Sequence, residues 1–248
     1  MVSPSAVTLP IREILTGLRS LLLPVSCPCC AAPVEDASQC PLCPDCLPLL
    51  RFLKPPWCAV CGRSLAHQGA GIRRCGICLT RRFAFDQVIS ACHYEGPIKE
   101  LISALKYEGH LSVSRFLGRI LEEAVRGRLK PAQADAVVAV PLHPVRLRER
   151  SFNQAHVLAS ELAGRLGVPC RPDLLKREKP TSPQTALRRR QRWENLRAAF
   201  TCRADSLEGK RLLLVDDVLT TGATAHECAK VLKRAGAASV VVVTVANG

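Results

Sequence analysis

From Phe83 onward the chain alternates two kinds of apolar pattern. Short runs at residues 87–94, 134–140, 210–215 and 239–245 are largely Val, Ile, Leu and Ala, without polar alternation. Such runs fit strands covered on both faces, and hence a parallel sheet between helices. Between them, apolar residues recur at i, i+3 and i+4 over residues 96–107, 111–127, 153–166 and 224–235, which predicts four amphipathic helices. Gly167 with Pro169 stops the third, and Gly236 the fourth. Strand and helix in alternation predict an α/β domain over residues 83–248.

Upstream the pattern changes twice. Residues 8–23 carry apolar positions at helical spacing, interrupted by Arg12, Glu13 and Arg19. They are expected to form an N-terminal amphipathic helix within residues 1–25, packed on the domain behind it. The stretch is too charged and too short to span a membrane, and no Ala-x-Ala cleavage site follows it. Residues 26–82 have no long period, are rich in proline and glycine, and hold ten of the fourteen cysteines. The boundary falls between Arg81 and Phe85.

Those cysteines decide the character of the small module. Cys27/Cys30, Cys43/Cys46, Cys58/Cys61 and Cys75/Cys78 are four Cys-x-x-Cys pairs in order. Each such turn sets two thiolates on one side of a knuckle, and two knuckles supply the four soft ligands of tetrahedral zinc. Sequential pairing predicts two structural Zn²⁺ sites, since all-thiolate sites leave no open position for chemistry. Cys29 and Cys40 leave the ligand set of the first site open, because Cys40 and Cys43 also form a Cys-x-x-Cys pair. With no secretory leader evident, the cysteines are expected to be reduced and the protein cytoplasmic. Cys92, Cys170, Cys202 and Cys228 stand alone and read as small buried apolar residues.

Composition adds a partner class. Apolar residues make up 48% and charged residues 23%, which excludes a disordered chain, and the net charge is +14. A balance this basic attracts polyanions. The charge is dense over residues 176–197, where Arg188, Arg189, Arg190 and Arg192 stand beside Trp193. That segment is a candidate for closing over a phosphorylated ligand or for contacting single-stranded DNA, with Trp193 able to stack on a base or to anchor the core.

The most informative stretch is Leu212-Leu-Leu-Val-Asp-Asp-Val-Leu-Thr-Thr-Gly-Ala-Thr-Ala225. An apolar strand runs into Asp216 and Asp217, then into a turn of small residues that opens a helix. Backbone N–H groups of Thr220, Thr221, Gly222, Ala223 and Thr224 can surround a phosphate there, helped by the threonine hydroxyls. Two neighbouring carboxylates call for hydroxyl donors or positive charge. A ribose diol beside a divalent cation offers both.

This segment resembles the 5-phosphoribosyl 1-pyrophosphate (PRPP) motif of type I phosphoribosyltransferases. The wider layout is similar to the ComF family, the competence-associated phosphoribosyltransferase-like proteins with an N-terminal double zinc ribbon. The likeness runs through the cysteine pairs, Tyr94 to Gly109, Val140 to Gln154, Thr181 to Leu187, Arg192 to Asn195 and the strand–turn motif. It implies a phosphoribosyltransferase-like parallel sheet flanked by helices, PRPP with Mg²⁺ as ligand, and a role in natural competence and DNA uptake beside other competence proteins. Asp216 and Asp217 are then the catalytic pair holding the ribose hydroxyls, and Thr220 to Thr224 hold the 5′-phosphate. Lys106, His143, Arg146 and Arg150 become candidate pyrophosphate contacts. Two departures stand out. Ser151 replaces the family's usual glycine, and Thr220 stands where purine-type enzymes carry an aspartate, which argues against a purine acceptor. Transfer to an unidentified acceptor and a non-catalytic module that binds single-stranded DNA or senses PRPP both remain open.

Overall fold

The computed structural model describes residues 26–65, 73–107, 111–129, 134–142, 145, 147–148, 152–178, 193, 196–204 and 206–248. The expected N-terminal helix lies outside the described residues. After a 3-10 turn at Leu47–Leu49 and a short helix α1 (Gly76–Thr80), the chain builds β1 (Gln87–His93), α2 (Pro97–Tyr107), α3 (Leu111–Arg126), β2 (Ala136–Ala139) and α4 (Gln154–Leu166). It continues through β3 (Leu175–Arg177), β4 (Phe200–Cys202), β5 (Arg211–Leu219), α5 (Ala223–Arg234) and β6 (Ser239–Asn247). From Phe83 onward, each of the four strands and four helices expected from the apolar pattern is present, within a few residues of its expected ends.

The four long-range strands form one parallel sheet in the order β1-β6-β5-β2. Its centre is dry. Val240, Val242 and Val243 of β6, and Leu214 and Val215 of β5, are fully buried, as unbroken apolar runs require. Register is pinned at the foot of the sheet. The backbone N–H, Nε and a guanidinium nitrogen of Arg211 all donate to the Asp135 carboxylate, at 2.8, 3.1 and 3.2 Å. Those bonds hold Asp135 down at about 2.

Helix placement follows from width. Four strands span about 19 Å and a packed helix needs about 10 Å, so two helices fill one face. α3 covers β1 and β6, α4 covers β2 and β5, and the two pack on each other. α5 also packs on β5 and β6, and therefore lies on the opposite face, beside β4. β2 ends at Ala139, opposite Val215, whereas β5 runs on to Leu219. The chain leaves β2 toward one face and β5 toward the other. Open parallel sheets bind their ligands at such a divergence, which makes this end of the sheet the candidate site.

Asn153 closes the loop that leaves β2. Its Oδ1 accepts from the Ala155 N–H, capping α4, while its Nδ2 donates to the Val140 carbonyl, both at 3.0 Å. Gly167 in the left-handed region ends the same helix, as expected. One element was not foreseen. Residues 176–197 read as a single polar stretch, yet Leu175–Arg177 pairs antiparallel with Phe200–Cys202. Arg177 is thereby 9% exposed, with its guanidinium against the Phe200 ring. Three-residue strands have no period to detect, and this pair forms across the basic segment.

The cysteine-rich module seals the β1 edge of the sheet. Phe52 bridges Cys92, with the Leu53 N–H donating to the Ala91 carbonyl at 2.8 Å and the His93 N–H to the Arg51 carbonyl at 2.9 Å. Further along, the Val88 N–H donates to the Val60 carbonyl at 2.8 Å, and Asn247 Nδ2 to the Cys61 carbonyl at 3.0 Å. The Arg128 guanidinium lies 3.8 Å from the centre of the Trp57 ring. Gly62 is required at this seam: its φ is +69°, and a Cβ there would stand 2.4 Å from the Val88 carbonyl oxygen. An unpaired strand edge is thus covered by backbone of the cysteine-rich module. No helix among the described residues is long and apolar enough to cross a membrane.

Candidate ligand site and the two cysteine clusters

The strand–turn motif sits at the far end of β5, beyond the last residue of β2. Gly222, with φ +75°, lets the chain reverse into α5. A Cβ at this position would lie 3.0 Å from the Phe83 ring, so glycine also answers a packing demand. The Thr221 hydroxyl accepts from the Ala223 N–H at 3.4 Å, a long bond that an anion can replace. The N-terminus of a twelve-residue helix, with its positive dipole end, stands at this corner. Thr220 is exposed, Thr221 and Thr224 are half-buried, and Gly222 and Ala223 are buried.

The two acids take different surroundings because successive side chains on a strand alternate faces. Asp216 Oδ1 accepts from the Asp217 N–H at 2.9 Å, and Asp217 Oδ1 accepts from the Val218 N–H at 2.7 Å. Asp217 Oδ2 receives Lys106 Nζ at 2.8 Å. Burial above all, then the neighbouring Asp217 charge, pushes the Asp216 carboxyl well above the usual carboxylate range; the Asp217 N–H and the Lys106 charge pull the other way. Cys228 of α5 is fully buried, and burial first and the Asp216 charge second push its thiol well above the usual range.

An aromatic cluster backs the turn. Phe83 stacks on Phe85 at 4.7 Å between ring centres, and Trp193 lies 5.2 Å from the His226 ring and 6.0 Å from Phe83. The Arg81 guanidinium stands 4.4 Å from the centre of the Trp193 ring. His226 Nδ1 accepts from the Ala84 N–H at 3.0 Å, and burial lowers its pKa. The Glu227 carboxylate accepts from the Ala198 N–H at 3.1 Å. The chain leaving the ribbon, the segment around Trp193 and the first turns of α5 are therefore packed together. Sequence reading singled out only Trp193 of this group. Phe83, Arg81 and His226 have no mutual spacing that could reveal the cluster.

Of the other residues proposed from sequence, Lys106 joins the acid pair directly. His143, Arg146, Arg150 and Ser151 lie outside the described residues, as do Arg188, Arg189, Arg190 and Arg192.

The cysteines converge as two separate groups, Cys27, Cys30, Cys43 and Cys46, and Cys58, Cys61, Cys75 and Cys78. Within each, all four sulfurs lie within 4.8 Å of one another. Cys30 and Cys43, and likewise Cys61 and Cys75, approach to 3.5 Å. Tetrahedral zinc with ligands at about 2.3 Å sets sulfurs about 3.8 Å apart, so the donor sets fit that ion. Electrostatics point the same way. Burial opposes ionisation of Cys27, but N–H donors at Cys43, Cys29 and Cys30 bring it down to about 6. Cys58 comes down to about 7 against burial, through N–H donors at Cys61, Cys75 and Val60. Cys61 is pushed up to about 11 by burial and by the Cys58 charge. One thiolate per cluster forms readily and the next resists, a conflict that a divalent cation removes. The open question of the first site closes: Cys29 turns its sulfur to the Pro97 carbonyl at 3.9 Å, and Cys40 to the Leu42 carbonyl at 3.6 Å.

Competence protein F of Haemophilus influenzae is 34% identical to this chain over 186 residues, covering 73% of this chain and 80% of that protein. The chain belongs to the ComF family. DNA utilization protein YhgH of Escherichia coli K12 is 32% identical over 74% of this chain and 80% of its own length. Competence protein ComFC of Bacillus subtilis is 28% identical over 80% of each chain. A phosphoribosyl transferase domain matches residues 153–248 and a double zinc ribbon domain matches residues 18–79. In this ComF-family protein, then, the matched transferase region begins at Asn153 and takes in both the acid pair and the turn. The two cysteine clusters are its structural zinc-ribbon sites.

Proposed function

We propose that this ComF-family protein binds PRPP together with Mg²⁺ at the β5–α5 corner, and that it uses the bound sugar phosphate in handling DNA that has been taken up. The observation that carries the reading is the overhang of β5 past β2. It sets two carboxylates and a helix N-terminus a few residues apart at one end of the sheet. N–H groups of the turn receive the 5′-phosphate, and Asp216 and Asp217 accept from the ribose hydroxyls. A hard cation takes oxygen ligands, and the local carboxylates are already engaged by N–H groups and by Lys106. Substrate oxygens and water therefore supply most of its shell, and the ion supplies charge to the pyrophosphate. His143, Arg146 and Arg150, in the loop after β2, are assigned to the pyrophosphate by their place in the chain, where forked guanidinium groups suit phosphate. Calorimetric titration of the zinc-loaded protein with PRPP is expected to show one site per chain that needs Mg²⁺. Ribose 5-phosphate should bind far more weakly. Equal binding with and without Mg²⁺ counts against the assignment. Pyrophosphate release in the presence of oligonucleotides then separates transfer from binding alone.

A DNA-binding role rests on a separate observation, the +14 net charge with its dense arginine run. Relatives carry the names competence protein and DNA utilization protein. Arg188, Arg189 and Arg190 are assigned to the strand backbone. Trp193 is assigned to packing, since its indole is half-buried between Phe83, His226 and Arg81. Each lost phosphate contact lowers the salt slope of single-strand binding by about 0.7. Replacing the three arginines by glutamine is expected to flatten that slope by about 2 and to weaken binding to all sequences alike. A slope that does not change removes these residues from the interface.

A further inference from the structure

We propose that Lys106, which lies outside the strand–turn motif, is a positioning residue of the ligand site: its ammonium aims the Asp217 carboxylate and supplies the positive charge that the acid pair needs before a ligand arrives. The inference rests on the PRPP reading for its purpose, but its geometry stands by itself. The Lys106–Asp217 contact is 2.8 Å, with the two side chains 21% and 18% exposed. Pairs such as Arg51–Glu95, at 3.5 Å and with both partners more than half exposed, are screened by solvent and order little. Screening is much weaker at the Lys106 pair.

Both Asp217 oxygens are engaged, Oδ1 by the Val218 N–H and Oδ2 by Lys106, so the plane of the carboxylate is fixed. The lysine is itself delivered by an anchored element. Ile98, Leu101, Ile102 and Leu105 recur at helical spacing on α2 and are buried, which clamps the helix and leaves its last turn facing β5. A long flexible side chain is poor at holding geometry alone, and the fixed helix compensates.

The electrostatic consequence follows. Asp216 faces Asp217 on its own strand, Lys106 from α2 and Cys228 from α5. Burial and the Asp217 charge favour the protonated acid, and Lys106 opposes them. Without the ammonium, the Asp216 carboxyl keeps its proton to higher pH. A diol needs both carboxylates as acceptors, so that proton must leave before the ligand binds. Affinity in a lysine variant therefore falls as pH falls, from a higher starting point than in the native chain.

The test compares the native full-length protein with Lys106→Met and Lys106→Arg. Carbon-13 carboxyl titration of the ligand-free proteins, with Asp216 and Asp217 assigned by single substitution, reads the acids directly. Lys106→Met is expected to raise the Asp216 midpoint by about one unit, and Lys106→Arg to restore it. PRPP–Mg²⁺ titrations from pH 5.5 to 8.5 should then show Lys106→Met about tenfold weaker at low pH and converging on the native value at high pH. Unchanged carboxyl midpoints overturn the proposal whether or not PRPP binds. A loss of affinity equal at every pH also overturns it, because that is the signature of a merely structural lysine. Shifted midpoints in a protein that ignores PRPP support the role of Lys106 and defeat the PRPP reading instead.

Discussion

Cys58→Ser is expected to cost the protein one of its two zinc ions and to lower the melting temperature of the whole chain by roughly 10 °C. A structural zinc site contributes on the order of 10 kcal/mol to the module it holds, so losing a ligand unravels the second ribbon. The effect spreads because that ribbon is stitched to the sheet. Val60 and Cys61 accept from Val88 and Asn247, and the segment around Phe52 just upstream exchanges two further hydrogen bonds with β1. At about 1 kcal/mol per hydrogen bond, loss of these four removes about 4 kcal/mol. For a chain of this size each kcal/mol is worth about 2–4 °C. Atomic absorption and differential scanning calorimetry on the same preparation check both halves. Loss of one zinc with an unchanged melting temperature means that the ribbon is an independent appendage.

Asp216→Asn combined with Asp217→Asn is expected to abolish PRPP binding, by about a hundredfold or more, while changing the melting temperature little. Hydrogen bonds to a charged acceptor are worth about 1.5–3 kcal/mol each, so losing two costs two to four decades of affinity. Stability changes less, because an amide removes the penalty that burial places on the Asp216 charge while loss of the Lys106–Asp217 pair acts against it. Its sign with pH follows from the raised carboxyl. A group held above its unfolded value binds its proton more tightly when folded, so its contribution to stability is present at low pH. That contribution is lost as pH rises through the folded value. The native chain should therefore lose stability relative to the double variant as pH rises through the folded value of Asp216. Circular-dichroism melts at pH 5 and pH 8, beside PRPP calorimetry, measure both. Retention of PRPP affinity by the variant removes the acids from the site.

Residues outside the candidate site show the limits of each kind of reading. The apolar runs of β1, β2, β5 and β6 fixed a parallel sheet before any coordinates, because a strand buried on both faces admits no polar alternation. The four Cys-x-x-Cys turns declared two metal sites for a similarly local reason: a knuckle is four residues long. Yet nothing local distinguishes Cys30 from Cys29, or Cys43 from Cys40. Only the convergence of two knuckles selects the ligands, and it turns Cys29 toward the carbonyl of Pro97. The basic stretch read as one segment because Leu175–Arg177 and Phe200–Cys202 are too short to show a period.

The ends of the strands were the harder matter. Sequence placed the end of the apolar run at Val215, and the fold carries β5 four residues further, through both acids to Leu219. That extension depends on β6 continuing alongside while β2 stops, a fact of pairing between distant segments. The same is true of Lys106. Its sequence context offered a helix-terminal cation or a pyrophosphate contact but not its acid partner, which lies more than a hundred residues away. Chain-local chemistry therefore determined the elements, the metal-binding turns and the phosphate turn. Contacts between segments far apart in sequence decided which cysteines share an ion, where the candidate site lies and which charge meets the acids. Periodicity and turn propensity act over a few residues, whereas burial and pairing are settled only when the whole chain has closed.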